Sequence, residues 1–526
     1  MTGTVEIFVG MLLAVASLAL LARRLHIPYP ILFVIGGLTL GLIPGVPRVH
    51  LNPELVFLFL LPPLLFPAAL FTSWRDFRAN LRPISLLAVG LVLITTVAIA
   101  FLAHYFMNLP LAAGFVLGAI VSPPDAIAAT AIAERLRVPR RIVTILEGES
   151  LVNDATALVA YRFAIAAVVT GTFSLSHASV KFFVVSIGGI LLGLFVGRLA
   201  EWFHQRVQDA PIEITVSLLT PFVAYLAAER LGVSGVLSVV TAGVYLGYRL
   251  PEITDFQTRL DARPVWETVE FLLNGFVFIL IGLQLPTVLH AAVNNDLRPS
   301  QLIFYALIIS LAVIVVRILW VFPSTYLPRL LSKNLRERDP YPSWKHVAIV
   351  AWTGMRGVVS LAAAMALPEL KADGSPFPGR DLILFLSFVI ILVTLVVQGL
   401  SLPPLIRWLG IKDDDSLEHE EREARLAANK AALARLHQVA EKDPAKADAL
   451  KRLRIEYEDR IRQLEATEGD HTSRRLRLFS QEYERLSREG LKQERNTILE
   501  LRNKEVISDE VLRRIQQDID LAEARL

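Results

Sequence analysis

Long apolar runs recur between residues 5 and 403, and they constrain the fold more than any other feature of this chain. A helix that crosses a bilayer needs about 20 mostly apolar residues. Thirteen runs of this kind are predicted, centred in residues 5–22, 30–46, 54–71, 83–106, 110–133, 142–168, 180–201, 212–229, 233–248, 265–285, 300–327, 345–367 and 381–403. The second and ninth runs are short and contain glycine, so a count that differs by one is the alternative. The sequence predicts an all-α polytopic membrane protein.

Charged residues are distributed unevenly along the chain. Of the 103 Asp, Glu, Lys and Arg residues, 50 lie in the last 114 positions and only 53 in the first 412. A soluble domain carries about 25% charged residues, so the first part is too apolar for a water-facing surface. We therefore predict a transmembrane domain at 1–412 and a cytoplasmic helical tail at 413–526. The composition excludes a soluble enzyme, a disulfide-stapled secreted domain and a disordered chain.

The short loops between the runs predict the orientation. With the N-terminus outside, the inside loops carry nineteen Lys and Arg residues and the outside loops carry six, which follows the positive-inside rule. The first run has no basic residue before it and Arg23–Arg24 after it. It is therefore expected to stay in the membrane rather than act as a signal peptide. An odd number of spans then places the C-terminus in the cytoplasm.

The tail is predicted to form two or three helices. Apolar residues recur at helical spacing from Leu450 to Leu464, and again from Val511 to Ile519 after a candidate N-cap at Ser508. A packed module and a coiled coil that pairs protomers remain alternatives, as do regulation and assembly. Its 23 basic and 27 acidic residues are mixed in sign, so no nucleic-acid partner is expected.

Ionisable residues inside membrane spans are costly and usually functional. The fifth span contains Ser122-Pro123-Pro124-Asp125. Two consecutive prolines remove two backbone donors, which predicts an interrupted helix that offers bare carbonyls and a carboxylate to a cation. A simple proline kink capped by Asp125 is the alternative, and both descriptions can hold together.

The sixth span contains Glu147-Gly-Glu149-Ser150-Leu-Val-Asn153-Asp154. Ser150 and Asp154 are four residues apart and share one helix face. Their hydroxyl and carboxylate oxygens suit a monovalent cation. Asn153 points about a quarter-turn away, where its amide can brace the neighbouring half-helix termini.

Glu149 needs a different partner, and two other spans contain arginine, at Arg317 and Arg356. Arg356 lies between glycines in Gly354-Met-Arg-Gly-Val-Val-Ser360, where an irregular backbone is permitted. A buried guanidinium requires a carboxylate. We predict a structural ion pair between Arg356 and Glu149, with Glu147 as the competing partner.

The fifth and twelfth spans, both interrupted, occupy corresponding positions if spans 1–6 and 8–13 form two halves. This arrangement is typical of secondary transporters built from inverted repeats.

The three motifs around Asp125, Asp154 and Arg356, together with Leu61-Pro-Pro-Leu-Leu-Phe66, resemble those of bacterial NhaP-type Na⁺/H⁺ exchangers in the monovalent cation:proton antiporter family. The resemblance covers about residues 5–405. It implies a thirteen-helix fold, a homodimer and elevator-like alternating access. It also implies an electroneutral exchange of one cation for one proton in the cell (inner) membrane, with no cofactor.

The resemblance also implies roles for individual residues. Asp154 would hold the cation and the proton in turn, and Ser150 would be a ligand. Asp125 would hold a ligand water or the crossed half-helices, and Asn153 marks the electroneutral branch. The predicted ion-binding residues are Asp154, Ser150, Asn153, Asp125 and Pro124. Glu149 and Arg356 would form the core ion pair.

Two residues depart from the family pattern. Pro67 stands where the family often has an acidic residue, and Pro124 replaces the usual threonine, so only its carbonyl can contribute. Na⁺ is the expected cation, and Li⁺ and K⁺ are alternatives.

Other function classes remain as alternatives. A cation channel or uniporter would conduct current without needing a proton. An intramembrane hydrolase would need a nucleophile–base pair or metal ligands, but the sequence contains neither His-Glu-x-x-His nor Gly-x-Ser-x-Gly. A Walker-type loop is also absent, which argues against an ATP-driven pump.

Overall fold

A computed structural model of the chain describes residues 2–43, 56–171, 175–207, 209–293, 298–371, 373–411, 416–442, 447–465 and 471–524. Its contacts divide into two units, Met1–Asp413 and Asp414–Leu526. The expected boundary between residues 412 and 413 lies outside the described residues.

The described part of the first unit is built from α-helices. The first nine are α1 (Thr2–Leu25), α2 (Tyr29–Leu42), α3 (Leu61–Leu70), α4 (Trp74–Ala79), α5 (Leu81–Ser85), α6 (Val92–Met107), α7 (Leu111–Val121), α8 (Ile127–Arg135) and α9 (Arg140–Thr170). The next ten are α10 (Leu175–His204), α11 (Ala210–Arg230), α12 (Gly235–Ile253), α13 (Phe256–Val293), α14 (Pro299–Leu331), α15 (Lys333–Arg338), α16 (Trp344–Trp352), α17 (Val358–Met365), α18 (Arg380–Val393) and α19 (Gly399–Leu409). Short π-helical turns precede α3, α6 and α19.

Helical residues occur in each of the thirteen apolar runs. Among the described residues, eight helices or continuous helix pairs are long and apolar enough to cross a membrane. The prediction of an all-helical protein with many apolar spans is confirmed, whereas the number thirteen and the inverted repeat stay predictions.

Glycines allow α2 and α13 to pack closely against each other. A Cβ atom on Gly37 of α2 would lie 2.1 Å from the carbonyl oxygen of Ile279 on α13, and one on Gly282 of α13 would lie 2.2 Å from that of Val34. Small residues let helix backbones approach closely inside a membrane, where packing replaces the hydrophobic effect as the source of association. The α2–α13 pair is therefore tightly joined.

Two segments are interrupted, as the sequence predicts. Residues 122–126 separate α7 from α8, and residues 353–357 separate α16 from α17. The N–H that Pro123 lacks would have bonded to the carbonyl of Ala119. The hydroxyl of Ser122 donates to that carbonyl instead, at 3.1 Å. The side chain thus compensates for one of the two donors that the prolines remove.

The second unit contains four helices in its described part, not two or three: α20 (Ser416–Lys442), α21 (Ala447–Glu465), α22 (His471–Asn503) and α23 (Asp509–Glu523). The predicted cap is confirmed, because the Ser508 hydroxyl accepts a hydrogen bond from the backbone N–H of Val511. Ile498, Leu512 and Ile519 form a small buried core between α22 and α23.

Candidate functional site

Asp154 and Ser150 lie one turn apart on α9 and line one cavity of about 290 Å³. Asp125 and Pro124, from the first break, line the same cavity. Asp154 is only 6% exposed. No described side chain forms an ion pair or hydrogen bond with its carboxylate. The structure therefore brings four of the predicted site residues together around a buried carboxylate that has no partner among the described residues.

The two helix breaks contact each other directly. The backbone N–H of Asp125 donates to the carbonyl of Met355 in the second break, with an N–O distance of 2.6 Å. The next N–H, of Ala126, points to the hydroxyl of Ser150 on α9 at 3.4 Å. The first break is thus held between the second break and α9.

These two bonds leave two carbonyls without their helical donors. In a regular helix the N–H groups of residues 125 and 126 would bond to the carbonyls of Val121 and Ser122. The guanidinium of Arg356 donates to both carbonyls instead, through Nε to Val121 at 2.9 Å and through Nη2 to Ser122 at 3.5 Å. Arg356 also donates to the carbonyl of Gly354. Arg356 thus provides hydrogen bonds to the carbonyls at the broken end of α7, as irregular backbone at membrane depth requires.

The predicted ion pair between Glu149 and Arg356 is therefore wrong, because a different arginine pairs with Glu149. Arg317 of α14 holds Glu149, with Nη1–Oε1 and Nη2–Oε2 distances of 2.6 and 2.8 Å. Both side chains are buried. The planar guanidinium of Arg317 donates one hydrogen bond to each carboxylate oxygen. The guanidinium of Arg356 instead donates its hydrogen bonds to the neighbouring backbone carbonyls. Glu147, the competing partner, lines the cavity instead.

Asn153 lies outside the described lining of the cavity, and its predicted role in ion binding stays a prediction. Asn153 is fully buried. Its Nδ2 donates to the carbonyl oxygen of Pro124 at 2.7 Å. Asn153 thereby positions the Pro124 carbonyl, as its predicted bracing role requires. A carbonyl oxygen has a second lone pair, so Pro124 can still face a cation.

Asp125 caps the second half-helix of its segment. Its Oδ1 accepts a hydrogen bond from the backbone N–H of Ile127 at 2.9 Å. Its Oδ2 faces Gly357, where a Cβ atom would lie only 1.7 Å away. Any side chain at position 357 would displace the Asp125 carboxylate, because that carboxylate occupies the space of a Cβ atom.

The sequence did not single out Ser360 of α17. Ser360 lines the cavity, and its hydroxyl is buried with no hydrogen-bond partner among the described residues. Buried hydroxyls are normally paired. In the sequence, Ser360 stands out only by its position in the motif that contains Arg356. Its place in the cavity is what distinguishes it from an ordinary serine in a helix.

Acidic groups dominate the charge of the cavity. Glu134, Glu147 and Glu270 line it together with the two aspartates, and no Lys, Arg or His belongs to its described lining. A cleft lined by one sign of charge concentrates the opposite ion. Oxygen ligands of this kind suit a hard cation.

Comparisons with known proteins agree with this chemistry. The profile of the family described as "Sodium/hydrogen exchanger, transmembrane" matches residues 10–408. The chain is 36% identical over 523 residues to an uncharacterized Na⁺/H⁺ exchanger of Mycobacterium tuberculosis, covering 99% of this chain and 96% of that one. It is 37% identical over 444 residues to a sodium, potassium, lithium and rubidium/H⁺ antiporter of Bacillus pumilus, covering 81% and 66%.

The fold is similar to that of a solved structure. The sodium proton antiporter MjNhaP1 from Methanocaldococcus jannaschii matches with a TM-score of 0.60 and 19% identity, over 77% of this chain and 99% of that chain.

Proposed function

Because the chain belongs to the transmembrane sodium/hydrogen exchanger family, and is thus a multi-pass Na⁺/H⁺ antiporter rather than an enzyme, we propose that Asp154 is the group that the cation and the proton share. The exchange we propose is electroneutral, one cation for one proton, and needs no cofactor. Elevator-like alternating access carries the site between the two sides.

The buried and unpaired state of Asp154 carries this proposal. A carboxylate in a membrane interior is costly unless a cation or a proton neutralises it. The described residues offer it no cationic side chain, whereas Glu149 has Arg317. Asp154 must therefore take its neutralising charge from the solution. Because one carboxylate holds either a proton or a cation, the two compete for it, and competition at a site that moves only when neutral gives one-for-one exchange.

The proposed ligands of the cation are Asp154, Ser150, the carbonyl of Pro124 and the hydroxyl of Ser360. Asp125 holds the crossed half-helices together or orders a ligand water. Pro67 also lines the cavity, but its side chain supplies no oxygen. Na⁺ is the proposed cation. The name of the Bacillus pumilus relative makes K⁺ and Li⁺ the first alternatives to test.

We further propose that the protein lies in the cell (inner) membrane as a homodimer, with its N-terminus outside and its tail in the cytoplasm. The chain contains no cysteine, so single cysteines report the orientation without background. Lys181→Cys is expected to react with an impermeant reagent from outside, and Arg24→Cys only after permeabilisation. The reverse pattern would overturn the orientation.

Acid-loaded, inside-out vesicles test the antiport itself. Adding Na⁺ or K⁺ to vesicles that contain the wild-type protein is expected to dequench a pH dye. Clamping the voltage with a potassium ionophore should not change the Na⁺-driven rate, because an electroneutral cycle moves no net charge. Asp154→Asn is expected to abolish the signal, since an amide can neither bind a proton nor offer a negative charge.

Glu213→Gln is the matched control. Glu213 is also a buried carboxylate, but it does not belong to the described lining of the cavity, so exchange should persist. Retained antiport in Asp154→Asn would overturn the assignment. Cation-dependent current without proton movement would instead favour the channel or uniporter.

A further inference from the structure

A second cavity lies beside the ion-binding one, between residues of α1, α2, α8, α13 and α19. Its volume is about 870 Å³, and its wall is largely apolar, formed by side chains such as Ala19, Ile132, Phe271 and Pro403. An apolar cavity of this size on a membrane protein favours an apolar occupant.

Three arginines surround this cavity. Arg23 lies in the last turn of α1, Arg135 in the last turn of α8 and Arg407 in the last turn of α19. All three are exposed, and none of their side chains has a hydrogen bond or ion pair within the described part of the chain. His26 lines the cavity as well, and its described lining contains no Asp or Glu. Positive charge is therefore concentrated at the cavity without an acidic counter-charge in its described lining.

The negative C-terminal end of each helix dipole stabilises the arginine in its own last turn. The positive-inside bias also favours basic residues on this face. Neither effect explains why three arginines from three different helices, without side-chain partners among the described residues, line one apolar cavity. An occupant with an apolar chain and an anionic head satisfies both features at once. Arginine binds phosphate with its planar fork, and anionic lipids are concentrated in the cytoplasmic leaflet.

We propose that this cavity binds an anionic phospholipid, whose phosphate contacts Arg23, Arg135 and Arg407 and whose acyl chain packs against Ala19, Ile132 and Phe271. A free phosphate would leave the apolar wall in water, and a neutral lipid would leave the arginines without a partner. The charge of the cavity thus favours the anionic lipid over either alternative.

Tyr29 lines both this cavity and the one that contains Asp154. A lipid bound here touches α8 and α19 on one side and α1, α2 and α13 on the other. If the helices that carry Asp154 and Asp125 move during exchange, the lipid stabilises the conformation in which this cavity is open. This consequence rests on the proposed function, whereas the binding site does not.

Lipid binding to the delipidated, full-length protein tests the proposal by native mass spectrometry. The probes are phosphatidylglycerol and phosphatidylcholine with identical acyl chains, together with inorganic phosphate. We expect phosphatidylglycerol to bind the wild-type protein at least tenfold more tightly than phosphatidylcholine, and inorganic phosphate to compete weakly.

The variant Arg23→Gln/Arg135→Gln/Arg407→Gln is expected to lose most of this preference. Its matched control is Arg24→Gln/Arg336→Gln/Arg338→Gln, which removes the same charge from residues outside the described lining and should bind as the wild type does. Ala19→Trp keeps every charge but fills the cavity, so it should weaken binding of both lipids. This variant also keeps the test informative if the triple arginine variant fails to fold.

Equal phosphatidylglycerol binding by the wild type and the cavity variants would overturn the proposal. Equal losses in the control would also overturn it, because they would indicate diffuse surface attraction. Efficient competition by inorganic phosphate would indicate a free-anion site. A photo-crosslinking residue at Leu20 identifies the occupant in cells, and a crosslink to a peptide of this chain, rather than to phospholipid, would contradict a lipid.

Discussion

The carboxylate of Glu149 accepts two hydrogen bonds from the guanidinium of Arg317, at 2.6 and 2.8 Å, although the two residues are 168 positions apart in the chain. Arg317 also donates to the carbonyl of Val350 from Nε and Nη2, at 3.2 and 3.0 Å. One guanidinium thus joins α9, α14 and α16. Because α9 carries Asp154 and α16 leads into the second break, this pair positions the site without lining its described cavity.

Replacing Arg317 is expected to destabilise the membrane unit strongly. Arg317→Leu leaves the Glu149 carboxylate buried and unpaired, which costs about 3–5 kcal/mol. The double variant Glu149→Gln/Arg317→Leu removes the charge and should recover much of this loss. Thermal unfolding of the detergent-solubilised protein measures both. Equal destabilisation by the single and double variants would show that the charge pair is not the cause.

The close approach of the Asp125 carboxylate to Gly357 predicts that a side chain at position 357 will slow exchange. Gly357→Ala places a Cβ where Asp125 Oδ2 now lies, so the carboxylate must move and the cap on α8 is lost. Displacement of binding groups by about 1 Å can reduce a rate on the order of 100-fold, and we expect a reduction of this size in vesicles. Gly10→Ala is the control, because nothing lies within 4 Å of its new Cβ. Normal exchange by Gly357→Ala would contradict the close contact.

The unpaired hydroxyl of Ser360 predicts a change in cation affinity. Losing one neutral oxygen ligand costs about 1 kcal/mol, so Ser360→Ala should raise the apparent KM for Na⁺ about fivefold and leave the maximal rate nearly unchanged. Ser360→Thr keeps the hydroxyl and should restore affinity. Ser310→Ala removes another buried and unpaired hydroxyl outside the described cavity lining and should have no effect. An unchanged KM in Ser360→Ala would exclude Ser360 as a ligand.

Asp339, between α15 and α16, predicts a pH-dependent contribution to stability. It forms ion pairs with Arg82, Arg141 and Arg329 at 2.9, 2.8 and 2.7 Å. Burial alone would raise the pKa of Asp339, but the hydrogen bond and charge of Arg141, with the charges of Arg329 and Arg82, outweigh it and hold the pKa below its ordinary value.

A lowered pKa means that the native state favours the charged carboxylate. The stabilisation is therefore complete above the ordinary aspartate range near pH 4 and is lost as the pH falls through the lowered value. Asp339→Asn should cost about 2 kcal/mol at pH 7, and the difference from wild type should shrink in acid. Melting temperatures across this range measure it. Glu337→Gln, an exposed neighbour, should change stability by less than about 0.5 kcal/mol; a constant Asp339→Asn effect at every pH would exclude the charge as its source.

The sequence by itself determined the features that depend on local chemistry. Apolar runs longer than a bilayer crossing require helices, because lipid leaves the backbone no other partner. Pro123 and Pro124 require a break, because they lack N–H groups. Ser150 and Asp154 share a face because a helix repeats every 3.6 residues. Ser508 begins a helix because its hydroxyl can accept from the third N–H.

The tertiary structure decided which partners these groups find. Arg317 and Arg356 are both buried arginines in apolar segments, and nothing local distinguishes which of them reaches Glu149. The choice depends on where the carbonyls of Val121 and Ser122 are left free, and this follows only from the crossing of two breaks more than 200 residues apart. The position of Ser360 in the ion-binding cavity and the apolar cavity near Arg407 could not be predicted from the sequence for the same reason. Several helices form each cavity together, so no single stretch of sequence encodes it.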